Sequence, residues 1–169
     1  DVEAIAICLI NSFVNPVHEQ LIFEVMQEMA PDLPCCISYN VLPEIKEYER
    51  TSTTVINAYL LPVIASYLDS LVAKLQDEGV QAPLLLMQSN GGLTTVDQTR
   101  SLPCHIIESG PAAGVVGAHA LSQKLRLSDI VTFDMGGTTA KASLVENGKY
   151  SRAVEYSVGG GIMAGSRLL

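Results

Sequence analysis

Phe133-Asp134-Met135-Gly136-Gly137-Thr138-Thr139-Ala140-Lys141-Ala142 is the stretch on which the fold turns. Ile130 to Asp134 reads as a buried strand that ends in a carboxylate. Two glycines follow, which admit backbone conformations closed to other residues. Their N–H groups, with those of Thr138 and Thr139, are expected to converge on an anion as a nest. The threonine hydroxyls add donors, and Asp134 is placed to hold a magnesium ion through water. After the turn the chain resumes as a strand from Ala142 to Val145. Asn147-Gly148 then signals a hairpin whose return strand runs from Tyr150 to Tyr156. Dinucleotide-binding and P-loop turns open helices instead, so those folds are excluded. A plain hairpin with an acid near its turn remains the alternative.

Upstream, Ala4 to Ile10 is a short buried strand. Asn15-Pro16 caps a helix, with Pro16 at its first position, and Val17, Leu21, Ile22, Val25, Met26 and Met29 repeat along it. Cys35 to Tyr39 forms a second strand. A long helix spans Thr51 to Asp77. Val55, Tyr59, Val63, Tyr67, Leu71 and Leu75 trace its inward stripe, widened by Ile56, Leu60, Ile64, Leu68 and Val72. Pro62 is expected to kink or split it, and Gly79 to stop it. The hydroxyls of Thr51 to Thr54 are read as helix caps. Leu84 to Gln88 is a strand, Ser89-Asn90-Gly91-Gly92 a loop, Val96 to Thr99 a short helical turn, and Cys104 to Ile107 a further strand. Gly110 to Leu125 is a helix whose Gly110, Gly114 and Gly117 leave one side bare, for close packing against another backbone or a ligand. Gly159-Gly160-Gly161 forms a late loop.

Hydrophobic residues make up 48% of the 169 and charged residues 17%, which favours a packed interior over disorder. The net charge of -8 argues against general nucleic-acid binding. Cys8, Cys35, Cys36 and Cys104 lack zinc-ligand spacing and read as reduced core thiols of a cytoplasmic protein. No signal peptide is recognised, no segment is read as long and apolar enough to span a bilayer, and no membrane association is expected. Both ends look cut from a longer chain. His18, His105 and His119 are scattered and are read as structural or solvated.

A strand, a Gly-Gly-Thr turn and a second strand resemble the phosphate loop of actin-like ATPases. Ser109-Gly110-Pro111-Ala112-Ala113-Gly114 is similar to the connecting helix of those proteins. Glu47-Tyr48-Glu49-Arg50-Thr51-Ser52-Thr53-Thr54 with Asn57-Ala58-Tyr59, then Met87 to Gly92, Ser109 to Ala118 and Asp134 to Thr138, resemble the signature of the hydantoinase A/5-oxoprolinase family. The resemblance implies an α/β chain with a partial actin-like (ribonuclease H-like) core, a mixed sheet, and hairpins after the phosphate loop. It divides the chain into the end of a first lobe (1–49), a middle segment with the long helix, the Ser-Asn-Gly-Gly loop and the connecting helix (50–128), and the start of a second lobe (129–169). The implied activity is ATP- and magnesium-dependent opening of a cyclic amide after phosphorylation of a carbonyl oxygen, with a hydantoinase B-like second subunit or domain as partner.

On that reading Gly136, Gly137, Thr138 and Thr139 hold phosphate, and Asp134 is the catalytic and metal-binding acid. Asn90, Gly91, Gly92, Ser109, Gly110 and Lys141 are candidates to face ligand. The commoner family turn continues Gly-Gly-Thr-Ser-Thr-Asp, so Ala140 and Lys141 depart from it. Lys141 then either contacts phosphate or faces solvent. The alternatives are a ketone-carboxylase subunit, another actin-like kinase, or a non-catalytic assembly segment. By itself the chain is expected to be inactive.

Overall fold

The computed structural model describes residues 2–151 and the backbone of two later strands, 156–158 and 162–164. The proposed glycine loop at 159–161 lies outside the described residues, as does most of the return strand expected to reach Tyr156. The chain divides into two compact units. The first holds residues 2–85 and 95–104, and the second holds 86–94 and 105–151.

In the first unit, β1 (Ile5–Ile7) leads through a turn to α1 (Val17–Met29), then β2 (Cys35–Ile37), α2 (Ser38–Val41) and α3 (Glu47–Asp77). β1 and β2 pair in parallel, Ile5 opposite Cys35 and Ile7 opposite Ile37. Parallel neighbours need a crossover, and α1 supplies it. Asn15 does not cap α1: Pro16 holds the cap position without a side-chain cap bond, and Asn15 makes a local turn just before it. Its carboxamide oxygen accepts from the Val17 N–H at 3.2 Å, and Pro16 precedes the first helical residue.

The core gathers Cys36, Val41, Leu42, Ala58 and Leu61, with Ala4, Ala6, Leu102 and Cys104 against it. Burial pushes the Cys36 thiol up to about 11 and that of Cys104 to about 12, so both stay protonated and inert at neutral pH. All four cysteines are free.

Two charged residues are fully buried here. Glu19, in the first turn of α1, accepts from the Leu9 N–H at 2.8 Å, the Ser38 hydroxyl at 2.6 Å and the Tyr39 N–H at 3.0 Å. Arg50, in α3, donates to the carbonyls of Leu9 at 2.8 Å and Glu44 at 2.9 Å and lies over the Phe13 ring. Leu9 therefore carries an acid on its N–H and a cation on its carbonyl. This satisfies a loop that would otherwise bury unpaired backbone. Asn57 joins the chain's later part to α3, donating to the Ser101 carbonyl at 3.1 Å and accepting from the Cys104 N–H at 3.2 Å.

α3 departs from the expected helix in four ways. It is one continuous helix of 31 residues, and Pro62 does not split it. It starts at Glu47, so Thr53 and Thr54 lie inside it. Their hydroxyls donate back to the Glu49 carbonyl at 2.7 Å and the Arg50 carbonyl at 2.6 Å rather than capping the end. Its buried residues are Arg50, Thr53, Thr54, Asn57, Ala58, Leu61 and Leu68, so the stripe Val55, Tyr59, Val63, Tyr67 points outward. Tyr59 is 74% exposed. The hydrogen-bonding demands of buried polar groups, not maximal apolar content, chose the inward face. The expectation that no segment reaches membrane-spanning length also fails for α3, which is long and apolar enough by length and composition. Core helices meet the same criterion, and a buried, hydrogen-bonded Arg50 and Asn57 suit a protein interior. α1 is inverted in a similar way: Glu19 is buried while Val17, Leu21, Ile22 and Val25 are exposed. Gly79, at φ 77°, ends α3 as expected.

A hairpin of β3 (Leu85–Met87) and β4 (Leu93–Thr95) follows, then α4 (Val96–Ser101). Pro103–Ile106 is a 3-10 turn, not the expected strand. Pro103 cannot donate to a strand ladder, and the carbonyls of His105 and Ile107 are taken by Ser89.

The second unit centres on α5 (Ser109–Leu125) and an antiparallel sheet of β5 (Ile130–Met135), β6 (Ala140–Glu146) and β7 (Lys149–Tyr150). Glu146 pairs with Lys149 around Asn147-Gly148, whose φ values of 51° and 69° are those of a two-residue type I′ turn. His119 of α5 reaches the Gly148 carbonyl at 2.9 Å and meets the Tyr150 ring edge-on. Among the described residues the glycine side of α5 does not pack against another backbone, and a Cβ at Gly110, Gly114 or Gly117 would meet none of them within 4 Å. The residues that pack are Ala112, Val115 and Ser122. The remaining elements are β8 (Tyr156–Val158) and β9 (Ile162–Ala164).

Glu19 sets an acid limit on stability. Burial pushes its carboxyl up, and the bonds from Ser38, Leu9, Tyr39 and Ser12 outweigh it, holding the group below its ordinary 4.5. A depressed folded value means the stabilisation is complete above 4.5 and is lost as pH falls through the lower, folded value. Glu19→Gln is expected to cost about 1–3 kcal/mol at pH 7 by leaving buried donors poorly matched. Urea unfolding at pH 7 and pH 3 checks this, and the gap between variant and native protein should shrink at the lower pH.

Candidate functional site

The expected phosphate turn is a hairpin. Asp134 stands opposite Lys141 and Met135 opposite Ala140, so Gly136 to Thr139 form a four-residue connection. The Gly136 N–H donates to the Thr139 carbonyl at 2.9 Å, which closes the turn. That bond removes Gly136 from the donors available to an anion. The N–H groups of Gly137, Thr138 and Thr139 have no partner among the described residues. All four turn residues are exposed. Neither glycine takes the left-handed backbone that its presence suggested. Their use is spatial: a Cβ at Gly137 would meet nothing within 4 Å, so the bare turn leaves room above it.

Strand alternation sorts the charges around the turn. Thr132, Asp134, Lys141 and Ser143 share one face of the β5–β6 ladder, and Val131, Phe133, Met135, Ala140, Ala142 and Leu144 share the other. The first face is partly covered. The second is open, with Phe133 66% exposed. Asp134, at the end of β5, is exposed. Lys141 is not simply solvated. Its ammonium pairs with the Glu108 carboxylate. Glu108 immediately precedes α5 and holds a left-handed backbone, φ 64°. Ser109 and Gly110 therefore sit one and two residues from the Lys141 contact.

The Ser-Asn-Gly-Gly loop joins the same unit. The Ser89 N–H and hydroxyl each donate to the His105 carbonyl at 2.8 Å, and the hydroxyl also contacts the Ile107 carbonyl. Asn90 turns its carboxamide oxygen inward to the Gly92 N–H at 2.8 Å, while Gly91 takes φ 80°. The loop is thus a built turn, and the Asn90 amide nitrogen has no partner among the described residues. A continuous series of contacts runs from this loop through Ser89, Ile107, Glu108 and Lys141 to the hairpin. Ser89 and Glu108 were not among the expected site residues. The Ser-Asn-Gly-Gly loop pointed to Ser89, but nothing local in sequence pointed to Glu108.

Among the described residues no group of three or more His, Cys, Asp or Glu is placed to hold a metal ion. The exposed carboxylate of Asp134 beside a turn with unpartnered N–H groups still fits magnesium, which binds through one or two carboxylates with waters and phosphates completing its shell. A cleft of about 670 Å³ in the first unit, lined by Phe23, Cys35, Asn40, Leu61, Gln98 and Arg100 among others, contains none of the expected site residues.

The hydantoinase/oxoprolinase family model matches residues 50–169, a span that includes α3 from Arg50 onward, the Ser-Asn-Gly-Gly loop, α5 and the hairpin. The chain belongs to the hydantoinase/oxoprolinase family. It is 41% identical, over 98% of its length, to the uncharacterized protein MJ0964 of Methanocaldococcus jannaschii, and spans 24% of that protein. It is 38% identical to the caprolactamase subunit alpha of Pseudomonas jessenii over 88% of this chain and 21% of the relative. Among solved structures, nucleotide-free acetone carboxylase, described under ATP-dependent acetone carboxylation, superposes with a TM-score of 0.83 at 25% identity. That match covers 98% of this chain and 24% of the carboxylase chain. ATP-dependent caprolactamase from Pseudomonas jessenii superposes with a TM-score of 0.70 at 29% identity, covering 93% of this chain and 27% of that one. The chain thus spans about a quarter of the length of these family members.

The two glycine sites respond differently to a methyl group. Gly92→Ala would place a Cβ 3.0 Å from the Asn90 oxygen and is expected to cost about 0.5–1.5 kcal/mol by disturbing that hydrogen bond. Gly137→Ala meets open space and should stay within about 0.5 kcal/mol of native. Parallel thermal melts of the two variants give the comparison.

Proposed function

We propose that this chain carries a phosphate-binding turn of an actin-like, ATP-dependent enzyme that opens cyclic amides. The carrying observation is the β5–β6 hairpin. A strand delivers Asp134, a bare turn offers the N–H groups of Gly137, Thr138 and Thr139 with two hydroxyls, and a strand follows instead of a helix. Such a turn suits a phosphate oxygen, because unpartnered N–H dipoles stabilise an anion without a long side chain having to be ordered. Asp134 would hold magnesium through water. When bound, ATP would supply the phosphoryl group that activates the amide carbonyl oxygen, and magnesium would neutralise the phosphates. The chain's own part is to bind and orient the phosphates at the turn. The Asn90 loop and Ser109-Gly110 belong to the same unit and are proposed to face the same ligand.

The likeness to caprolactamase supports a lactam or related cyclic amide as substrate. A chain a quarter the length of its relatives would act as part of a longer polypeptide, together with a second subunit or domain. One second reading has its own support. The TM-score of 0.83 to acetone carboxylase supports ATP-dependent carboxylation of a ketone.

ADP release by the full-length polypeptide and its partner subunit separates the two. Stimulation by caprolactam, 5-oxoproline or hydantoin without bicarbonate is the expected result. Stimulation only by a ketone with bicarbonate would transfer the assignment to the second reading. Gly137→Val is expected to lower kcat/KM for ATP by about tenfold or more, equivalent to about 1.4 kcal/mol. Unchanged kinetics in that variant would remove the turn from the phosphate site.

A further inference from the structure

We propose that Glu108 and Lys141 form a charge clip that positions the phosphate hairpin against the head of α5; the inference rests on the phosphate reading of that hairpin. Lys141 is the second residue of β6 and lies directly across from Asp134. With Thr132 and Ser143 it occupies the partly covered face of the ladder. Its side chain is only about a third exposed (34%), and Glu108 is equally sheltered (35%). A pair with this much shelter is less screened than a free surface pair.

Backbone geometry on the Glu108 side agrees. A left-handed backbone at a non-glycine residue costs energy and persists only where its surroundings hold it. At Glu108 it aims the carboxylate at β6 while α5 begins with the next residue. The Ser89 contacts to His105 and Ile107 anchor the segment just before it. Glu108 thus has a fixed base, and Lys141 is the point at which the hairpin is tied to it.

The clip also sets the local charge. Asp134 and Glu108 are both acidic, and an arriving polyphosphate is anionic. Lys141 cancels one of the two carboxylates and keeps the carboxylate of Glu108 turned toward it. Lys141 is therefore a positioning residue. A direct phosphate ligand would instead leave Glu108 to bind.

The test uses the full-length polypeptide with Lys141→Met, Glu108→Gln, and the exchange of charges Glu108→Lys with Lys141→Glu. Each single variant is expected to raise KM for ATP several-fold with little change in kcat, and the exchange to return it toward native. Melting temperatures without nucleotide should show the same non-additivity, and both effects should weaken at high ionic strength. If Lys141→Met weakens ATP binding while Glu108→Gln does not, and the exchange restores nothing, Lys141 is a phosphate ligand and the clip is wrong. Additive melting shifts would likewise overturn it. If the native polypeptide binds no ATP, the phosphate reading fails, and the nucleotide-free melting cycle still decides whether the clip exists.

Discussion

The loop that leaves β1 tucks the Leu9 N–H and carbonyl against α1 and α3, where both need partners. In the first unit that demand is met by two charged side chains at one residue. Glu19 takes the Leu9 N–H and Arg50 takes the Leu9 carbonyl. Ser12 and Ser38 link the Leu9 carbonyl to Glu19, their hydroxyls 3.1 Å apart, while the buried Nε of Arg50 has no partner among the described residues. The network joins β1, α1, α2 and α3, so the orientation of each helix follows from polar pairing as much as from apolar contact. It is demanding because removing one partner leaves a buried charge or donor unmatched.

The second unit solves a related problem with smaller groups. Ser89 binds the carbonyls of the 3-10 turn that precedes α5, and Asp129 accepts the Asn147 N–H at 2.9 Å beneath the type I′ turn. These contacts fix the supports of the β5–β6 hairpin and leave its turn untouched. The N–H groups of Gly137, Thr138 and Thr139 stay unpartnered among the described residues, and the turn that carries them is exposed.

Polar control of orientation leaves apolar surface outside. Val17, Leu21 and Val25 on α1, Val55, Tyr59 and Val63 on α3, and Val131, Phe133 and Leu144 on the hairpin are all exposed. Contiguous apolar faces of this kind are generally covered in a working protein. The chain covers only about a quarter of its relatives.

Sequence alone determined the local elements that rest on backbone chemistry. Asn147-Gly148 specified a two-residue turn because both positions need positive φ. Gly79 ended α3 for the same reason, and the strand–Gly-Gly-Thr–strand order of the hairpin was legible because its punctuation is local. The family was legible too, through motifs spread along the chain. Tertiary structure decided which helix faces are inward. Periodicity gave α1 and α3 an apolar stripe each, but Glu19, Arg50 and Asn57 needed buried partners distant in sequence and pulled the opposite faces in. It also decided the state of Lys141, because Glu108 lies 33 residues earlier and only the packing of α5 on the sheet brings the two charges together. Glycine at the hairpin was foreseen, but its reason was not. The backbone there is ordinary, and what glycine provides is the empty space above the turn, which depends on what the folded chain leaves uncovered.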